Sequence, residues 1–161
     1  EMLYELTGTD LAEIFGITET NAIEIISEVG LDMSKWPTVK HFTSWLNLAP
    51  NNKISGGKVL SSRIPKKKNH AGQIFRMAAF AIQRSKNWLA MFYNRIKAKN
   101  GAPKAIVATA RKIAAIFYKM IKERVKFNPI PIEKYMDGFK ENQIKKLKRQ
   151  AKNLGLQIVE M

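Results

Sequence analysis

The chain has 161 residues, a formal net charge of +15 and no cysteine. This length fits one domain with a small appendage and can bury a core, and a hydrophobic content of 45% excludes a disordered polycation. Disulfides and cysteine-ligated metal sites are excluded, and no apolar run approaches the roughly 20 residues that cross a membrane.

The first residues, Glu1-Met2-Leu3-Tyr4, have neither the basic nor the apolar region of a signal peptide. We therefore expect a cytoplasmic protein that is not associated with a membrane. Because residue 1 is not Met, we also expect the chain to be a piece of a longer protein.

Charge is distributed unevenly along the chain. Residues 1–34 hold eight acidic side chains and no Lys or Arg, whereas residues 35–126 hold 21 Lys and Arg and a single acid, Glu123. Such a basic block repels itself, and a polyanion would stabilise it while releasing counterions. The charge favours a nucleic-acid partner, and the alternatives are a membrane surface or a solvated lysine surface.

The acidic first segment predicts two helices joined by a glycine turn. A short helix near residues 10–15 ends at Gly16, and Thr18 or Thr20 begins a longer helix that stops at Gly30. The spacing Leu11-x-x-Ile14-x-Gly16-Ile17-Thr18-x-x-x-Ala22 resembles a helix-hairpin-helix, in which backbone N–H groups of the turn meet a DNA phosphate. The alternative is a purely structural hairpin, which the acidic surroundings favour.

A short aromatic helix with Phe42, Trp45 and Leu46 follows and is broken near Pro50. Residues 51–69 have no helical period and predict a long basic Gly/Ser loop, with one strand-like stretch at Lys58-Val59-Leu60. Loops of this length inside a compact domain are usually functional or mobile.

The loop contains a serine next to two glycines, Ser55-Gly56-Gly57. Paired glycines let the backbone approach a ligand, and successive N–H groups can bind an anion. A serine hydroxyl at such a site would lie beside groups that stabilise its deprotonated form and a pentavalent phosphorane. A plain turn is the more common reason for this tripeptide. The cations around it are Lys53, Lys58 and Arg63.

A second group of cations leads into the next helix, which presents Arg76. Cations at the start of a helix are repelled by the positive end of its macrodipole. A bound phosphate would remove this repulsion, so we favour phosphate contact over a solvated face for this run. The cations of this run are Lys66, Lys67 and Lys68. His70, at the end of the loop, is a weaker candidate for a base or a phosphate ligand.

Three helices and a tail complete the predicted fold. The first has Ile74, Met77, Ala78, Ala81 and Ile82 at helical spacing. Two more are predicted near residues 88–98 and 103–125. Beyond a break at 127–131, a tail helix carries a narrow apolar stripe of the kind that prefers a partner helix.

These elements make an all-α class with two parts. We predict a compact helical domain at residues 1–126, consisting of the acidic helix-hairpin-helix-like segment 1–34 and the basic core 35–126. Residues 127–161 form a linker and a C-terminal amphipathic tail helix.

The order and spacing of several motifs resemble the C-terminal domain of the DEDD-type insertion-sequence transposases related to the Piv DNA invertase, some of which are guided by a bridge RNA. The resemblance covers nearly the whole chain. It is carried by Ile25-Ile26-Ser27-Glu28-Val29-Gly30, Phe42-x-Ser44-Trp45-Leu46-x-Leu48-x-Pro50, Ile54-Ser55-Gly56-Gly57-Lys58-Val59, Arg76-Met77-Ala78-Ala79 and Gly101-Ala102-Pro103-Lys104-Ala105.

The resemblance implies that Ser55 attacks DNA to form a phosphoseryl link, with Ser61 and Ser62 as competitors. It implies that Gly56 and Gly57 shape the turn while Lys58 and Arg63 hold phosphate. It also implies insertion-sequence DNA as the partner, a guide RNA in some members, and a homo-oligomer. A protein of this kind is expected at the nucleoid of a bacterial cell. Mg²⁺ is expected in an N-terminal acidic domain outside this chain, and no cofactor is expected within it.

Two functions of different classes follow from the sequence. One is the nucleophile-contributing half of a recombinase, which binds nucleic acid but cannot recombine it alone. The other is a non-catalytic helical nucleic-acid-binding module, in which Ser55 only forms part of a turn.

Overall fold

The computed structural model describes residues 2–50, 52–64 and 69–159. The described chain is mostly α-helical, which confirms the predicted all-α class, with one small antiparallel hairpin. The helices are α1 (Met2–Thr7), α2 (Glu19–Val29), α3 (Val39–Trp45), α4 (His70–Ala81), α5 (Trp88–Asn100), α6 (Ala102–Glu123) and α7 (Ile132–Asn153). The strands are β1 (Lys53–Ser55) and β2 (Lys58–Ser61), and short 3₁₀ helices lie at Leu11–Glu13, Met33–Lys35 and Ile82–Arg84.

Side-chain caps set the starts of three helices. Thr18 Oγ1 accepts a hydrogen bond from the third residue of α2 at 3.2 Å, so of the two predicted threonines Thr18 is the cap. Asn69 and Asn87 cap α4 and α5 in the same way, at 2.8 and 2.9 Å. Gly101 ends α5, and a proline in the first turn of α6 suits the position where no N–H partner is needed.

The core lies around α6, which packs against α3, α4 and α5. Small residues on α6 allow close helix packing, and Phe75 of α4 meets Phe117 of α6 edge to face at 5.4 Å. Ala81 of the predicted apolar face is exposed. The prediction that Met77 belongs to that face is also wrong, since its side chain is 58% exposed. Phe75 and Ala79 occupy the buried face in its place, because the contact with α6 sets the rotation of α4.

An aromatic cluster joins the segment before α3 to α6. Trp36 and Tyr118 both pack against Phe42, at 5.0 and 5.4 Å between ring centroids. The Tyr118 hydroxyl donates to the Trp36 carbonyl at 2.7 Å and accepts from Lys122 Nζ at 2.7 Å. This buried hydroxyl is therefore satisfied on both sides.

The turn before α2 packs against α4. The predicted helix near residues 10–15 is a single 3₁₀ turn, and Gly16 follows it with φ +82°. A Cβ on Gly16 would lie 2.6 Å from the Ala78 carbonyl oxygen and 2.8 Å from Ile82 Cγ2. The glycine is needed for this approach to α4, which favours the structural interpretation of the hairpin over phosphate contact.

The chain divides after Asn128 into two units, and α7 belongs to the second. None of its residues is buried, and its apolar stripe includes the exposed Met136 and Leu147. A partner for this stripe stays a prediction. Within the described residues, no helix has the length and apolar character needed to cross a membrane.

Replacing Gly16 with alanine should destabilise the fold, because the methyl group would overlap α4 and the positive φ disfavours any side chain. We expect the free energy of unfolding to fall by about 1–3 kcal/mol in urea titrations. Gly138 is the matched control, since it lies in α7 with nothing within 4 Å of an added Cβ. Gly138→Ala should stabilise by about 0.5–1 kcal/mol, and equal effects of the two changes would contradict this account of Gly16.

Candidate nucleic-acid interface

The long loop between α3 and α4 leaves and re-enters the helical body at one place. Asn69 Nδ2 donates to the Trp45 carbonyl at 3.1 Å, and Arg76 Nη2 donates to the Asn47 carbonyl at 2.9 Å. Asn47 ends the helix in the left-handed region, with φ +56°. The end of α3 is thus bonded to the start of α4, and these contacts are called the loop clamp below.

Gly72 completes the loop clamp in the first turn of α4. A methyl group there would overlap the carbonyl oxygen of Leu46 and lie 3.3 Å from Asn69 Oδ1. The backbone of α3 can therefore approach α4 only because residue 72 has no side chain.

The N-terminus of α4 is already occupied by carboxylates of α2. Glu28 Oε2 accepts a hydrogen bond from Ala71 N at 2.7 Å, and Glu24 lies 3.8 Å from His70 Nε2. The protein thus supplies the negative charge that a helix N-terminus favours. The predicted phosphate contacts of residues 66–68 lie outside the described residues and stay predictions.

Above the loop clamp, β1 and β2 form a hairpin whose turn is Gly56-Gly57. Both glycines have positive φ, +55° and +75°, as a two-residue type I′ turn requires. Ile54 pairs with Val59 and Ser55 with Lys58, and a bulge follows toward the base of the hairpin. A Cβ on either glycine would meet nothing within 4 Å, so backbone conformation and not crowding selects them.

The register separates two faces of the hairpin. Residues directly opposite each other project to the same side, so Ser55 and Lys58 share one face at the tip while Ile54 and Val59 share the other. All four are exposed, and Ile54 and Val59 are 63% and 58% exposed. The hairpin therefore presents a serine hydroxyl beside an ammonium group on one side and an apolar surface on the other.

The structure collects most of the predicted site residues on this hairpin. These are Lys53, Ser55, Gly56, Gly57 and Lys58, with Arg63 two residues after the end of β2. Arg76 lies elsewhere, since it takes part in the loop clamp, and its contact with nucleic acid stays a prediction. The lysines at 66–68 are not described.

The competing serines occupy different surroundings. Ser61, at the end of β2, is partly buried, and its Oγ accepts from Arg63 N at 3.4 Å. Ser62 is exposed and lines a groove at the base of the loop. Of the three serines, Ser55 alone lies in a strand next to the turn.

The groove beside Ser62 was missed by the sequence analysis. Its volume is about 630 Å³, and it lies between α5, α6 and the two ends of the loop. Three cations of α6 line it, namely Lys104, Arg111 and Lys112. The sequence feature that points toward this groove is the run of apolar and basic residues on α6, and such a run does not by itself identify a groove.

Lys112 extends over the rings of α5. Its Nζ lies 4.9 Å from the centre of the Phe92 ring and 6.0 Å from that of Trp88. Desolvation lowers the pKa of the Lys112 ammonium, and the positive charges of Arg95 and Arg111 lower it further. Positive charge is therefore concentrated here.

Carboxylates do not gather into a metal site in the part of the chain that the structure describes, where no three His, Asp or Glu side chains converge. The expected Mg²⁺ concerns an acidic domain outside this sequence and stays a prediction.

Comparison with known protein families matches residues 8–94 to the family described as Transposase IS116/IS110/IS902. The matched segment covers just over half of the chain and includes the loop clamp, the hairpin and most of α5. Comparison with curated proteins gives no match.

Removing the Asn69 side chain should loosen the loop as well as shorten α4, because this residue both caps α4 and bonds to the Trp45 carbonyl. Asn69→Ala should lower the free energy of unfolding by about 1 kcal/mol, because the cap of α4 is lost. It should also accelerate trypsin cleavage between Lys53 and Arg63. Asn87→Ala removes an equivalent cap from α5 and is the matched control. Equal cleavage rates in the two variants, at equal loss of stability, would contradict the role of the loop clamp.

Proposed function

Since the chain belongs to the IS116/IS110/IS902 transposase family, we propose that it is the DNA-binding, nucleophile-contributing part of a transposase, with Ser55 as the nucleophile. The observation that carries the proposal is the exposed type I′ hairpin, whose register puts Ser55 opposite Lys58. Family membership makes its role one in transposition and implies DNA as the partner. Attack by Ser55 is suggested by the resemblance to serine-dependent transposases, and the exposed geometry of the hairpin supports it.

The proposed reaction is attack of Ser55 Oγ on a DNA phosphorus. An Oγ–P bond forms, one P–O bond of the strand breaks, and the serine proton is lost while the leaving oxygen gains one. Negative charge builds on the phosphoryl oxygens in the transition state, and Lys58 on the same face of the hairpin would stabilise it. An exposed tip suits this step, since the target is the backbone of a second macromolecule.

DNA binding is attributed to the cations on and next to the hairpin. Lys53, Lys58 and Arg63 are exposed, and residues 52–64 contain no acid that would neutralise them. A two-stranded ribbon fits the DNA major groove, which is about 12 Å wide. Each phosphate that a lysine or arginine neutralises would release counterions and make binding dependent on salt.

In the proposed reaction, the metal site and the partner subunit come from outside this chain. By resemblance to the family, acidic residues of an N-terminal domain would hold Mg²⁺, which would supply activation of the attacking and leaving oxygens. The apolar stripe of α7 is the surface proposed for self-association, and a guide RNA is proposed only by resemblance to family members that use one.

A second candidate function is the non-catalytic nucleic-acid-binding module. The observation that favours it is the turn itself, because the positive φ of Gly56 and Gly57 accounts for both glycines without any chemistry at Ser55. The two functions predict the same DNA binding and differ only in whether a covalent link forms.

The full-length transposase, incubated with DNA of its element ends, should form a covalent adduct that withstands denaturing electrophoresis. Ser55→Ala should abolish the adduct, because only the hydroxyl oxygen is removed. Ser61→Ala and Ser62→Ala should retain it. Gly56→Asn should also retain it, since asparagine tolerates the φ of +55° that the turn needs.

Survival of the adduct in Ser55→Ala, with loss in Ser62→Ala, would assign the nucleophile to the groove instead of the hairpin. An adduct that no serine change removes would show that none of the three serines is the nucleophile. No adduct with the unaltered protein would favour the non-catalytic module.

A further inference from the structure

The groove at the base of the loop combines an apolar floor with a cationic wall. The floor is formed by Phe92 and Ile96 of α5 and by Val107 and Ala108 of α6. These four side chains are only partly covered by the protein. A flat apolar group lying on them would remove their surface from water, as bases do on stacking surfaces for single strands.

The wall is formed by cations without an acidic neighbour in the groove. Lys104, Arg111 and Lys112 line it, and none of the lining residues is acidic. The one acid of residues 35–126, Glu123, lies 3.9 Å from Lys119 near the far end of α6. Eleven residues of helix separate Glu123 from Lys112, which is roughly 16 Å, so its charge does not offset the wall.

Lys112 is affected by both desolvation and neighbouring cations. Desolvation lowers the pKa of its ammonium, and the charges of Arg111 in the wall and of Arg95 nearby lower it further. An anion between Arg111 and Lys112 would reverse the electrostatic part of this effect. The groove therefore favours a ligand that is negatively charged at one end and flat and apolar at the other.

We propose that this groove binds one unpaired nucleotide of a DNA strand, with its base on the apolar floor and its phosphate at Arg111 and Lys112. The inference rests on the proposed function insofar as it takes DNA as the partner. A volume of about 630 Å³ is within the roughly 300–1,000 Å³ of ligand pockets. A single base fits this space, whereas a base-paired duplex does not.

The position of the groove connects it to the hairpin. Leu48 and Pro50 reach it from the end of α3, and Ser62 and Ile64 reach it from the segment after β2. The nucleotide would therefore lie where the hairpin leaves the helical body. A DNA strand bound there would have one unpaired nucleotide held at a fixed place relative to the hairpin. The rest of the DNA would then lie within reach of the hairpin tip.

The test measures binding of the chain to two labelled DNAs by fluorescence anisotropy at fixed salt, one a single strand and one a fully paired duplex. Ala108→Trp fills the groove from a partly exposed position on α6. It should weaken single-strand binding about tenfold, the effect of one lost base contact, and change duplex binding less than about twofold. Arg111→Ala should act in the same direction, and it removes a side chain that is not part of the core.

Lys119→Ala is the matched control, since it removes a cation from the same helix outside the groove. It should weaken binding of both DNAs equally and slightly. Circular dichroism melting verifies that each variant is folded. If Ala108→Trp does not fold, the comparison of single-strand and duplex binding by Arg111→Ala tests the nucleotide site.

Equal losses for single strand and duplex, or no loss for either, would overturn the nucleotide site while leaving DNA binding by the chain intact. If the unaltered chain binds neither DNA, the proposed function fails as well. If the groove is instead a docking site for an apolar protein segment, the groove variants should bind both DNAs as tightly as the unaltered chain does.

Discussion

The loop clamp is the constraint on which the rest of the structure depends. Hydrogen bonds from Asn69 and Arg76 to carbonyls at the end of α3, with Gly72 against the same backbone, close a loop of about twenty residues at its base. Closing the ends of a long loop costs entropy, and the two hydrogen bonds and the close backbone approach at Gly72 offset that cost here. The hairpin and the groove both start from this junction, so their positions relative to α5 and α6 follow from it.

The uneven charge of the sequence has a structural counterpart. Carboxylates of α2, above all Glu28, lie at the N-terminus of α4 and satisfy a backbone N–H that would otherwise attract an anion. The acidic segment therefore supports the helix that ends the loop, and its turn at Gly16 packs on that same helix. No residue lining the groove is acidic, and residues 52–64 around the hairpin contain no acid, so these cations can bind a polyanion.

Sequence reasoning succeeded where local chemistry decides the structure and failed where tertiary packing does. The start of α2 next to Thr18 and its end at Gly30 were identifiable because caps act within one turn of a helix. Strand β1 has three residues and exists only through its pairing with β2, so no periodicity could predict it. The burial of Phe75 in place of Met77 depends on α6, and the groove joins segments far apart in the chain.

The hairpin, and not the helical turn at Gly16, is the surface proposed to bind DNA. Hydrogen–deuterium exchange of the chain, with and without duplex DNA, tests it most directly because it reports both segments in one experiment. The account predicts slower exchange at residues 52–64 on DNA binding and unchanged exchange at residues 11–22. Protection of residues 11–22, with none in the hairpin, would contradict it.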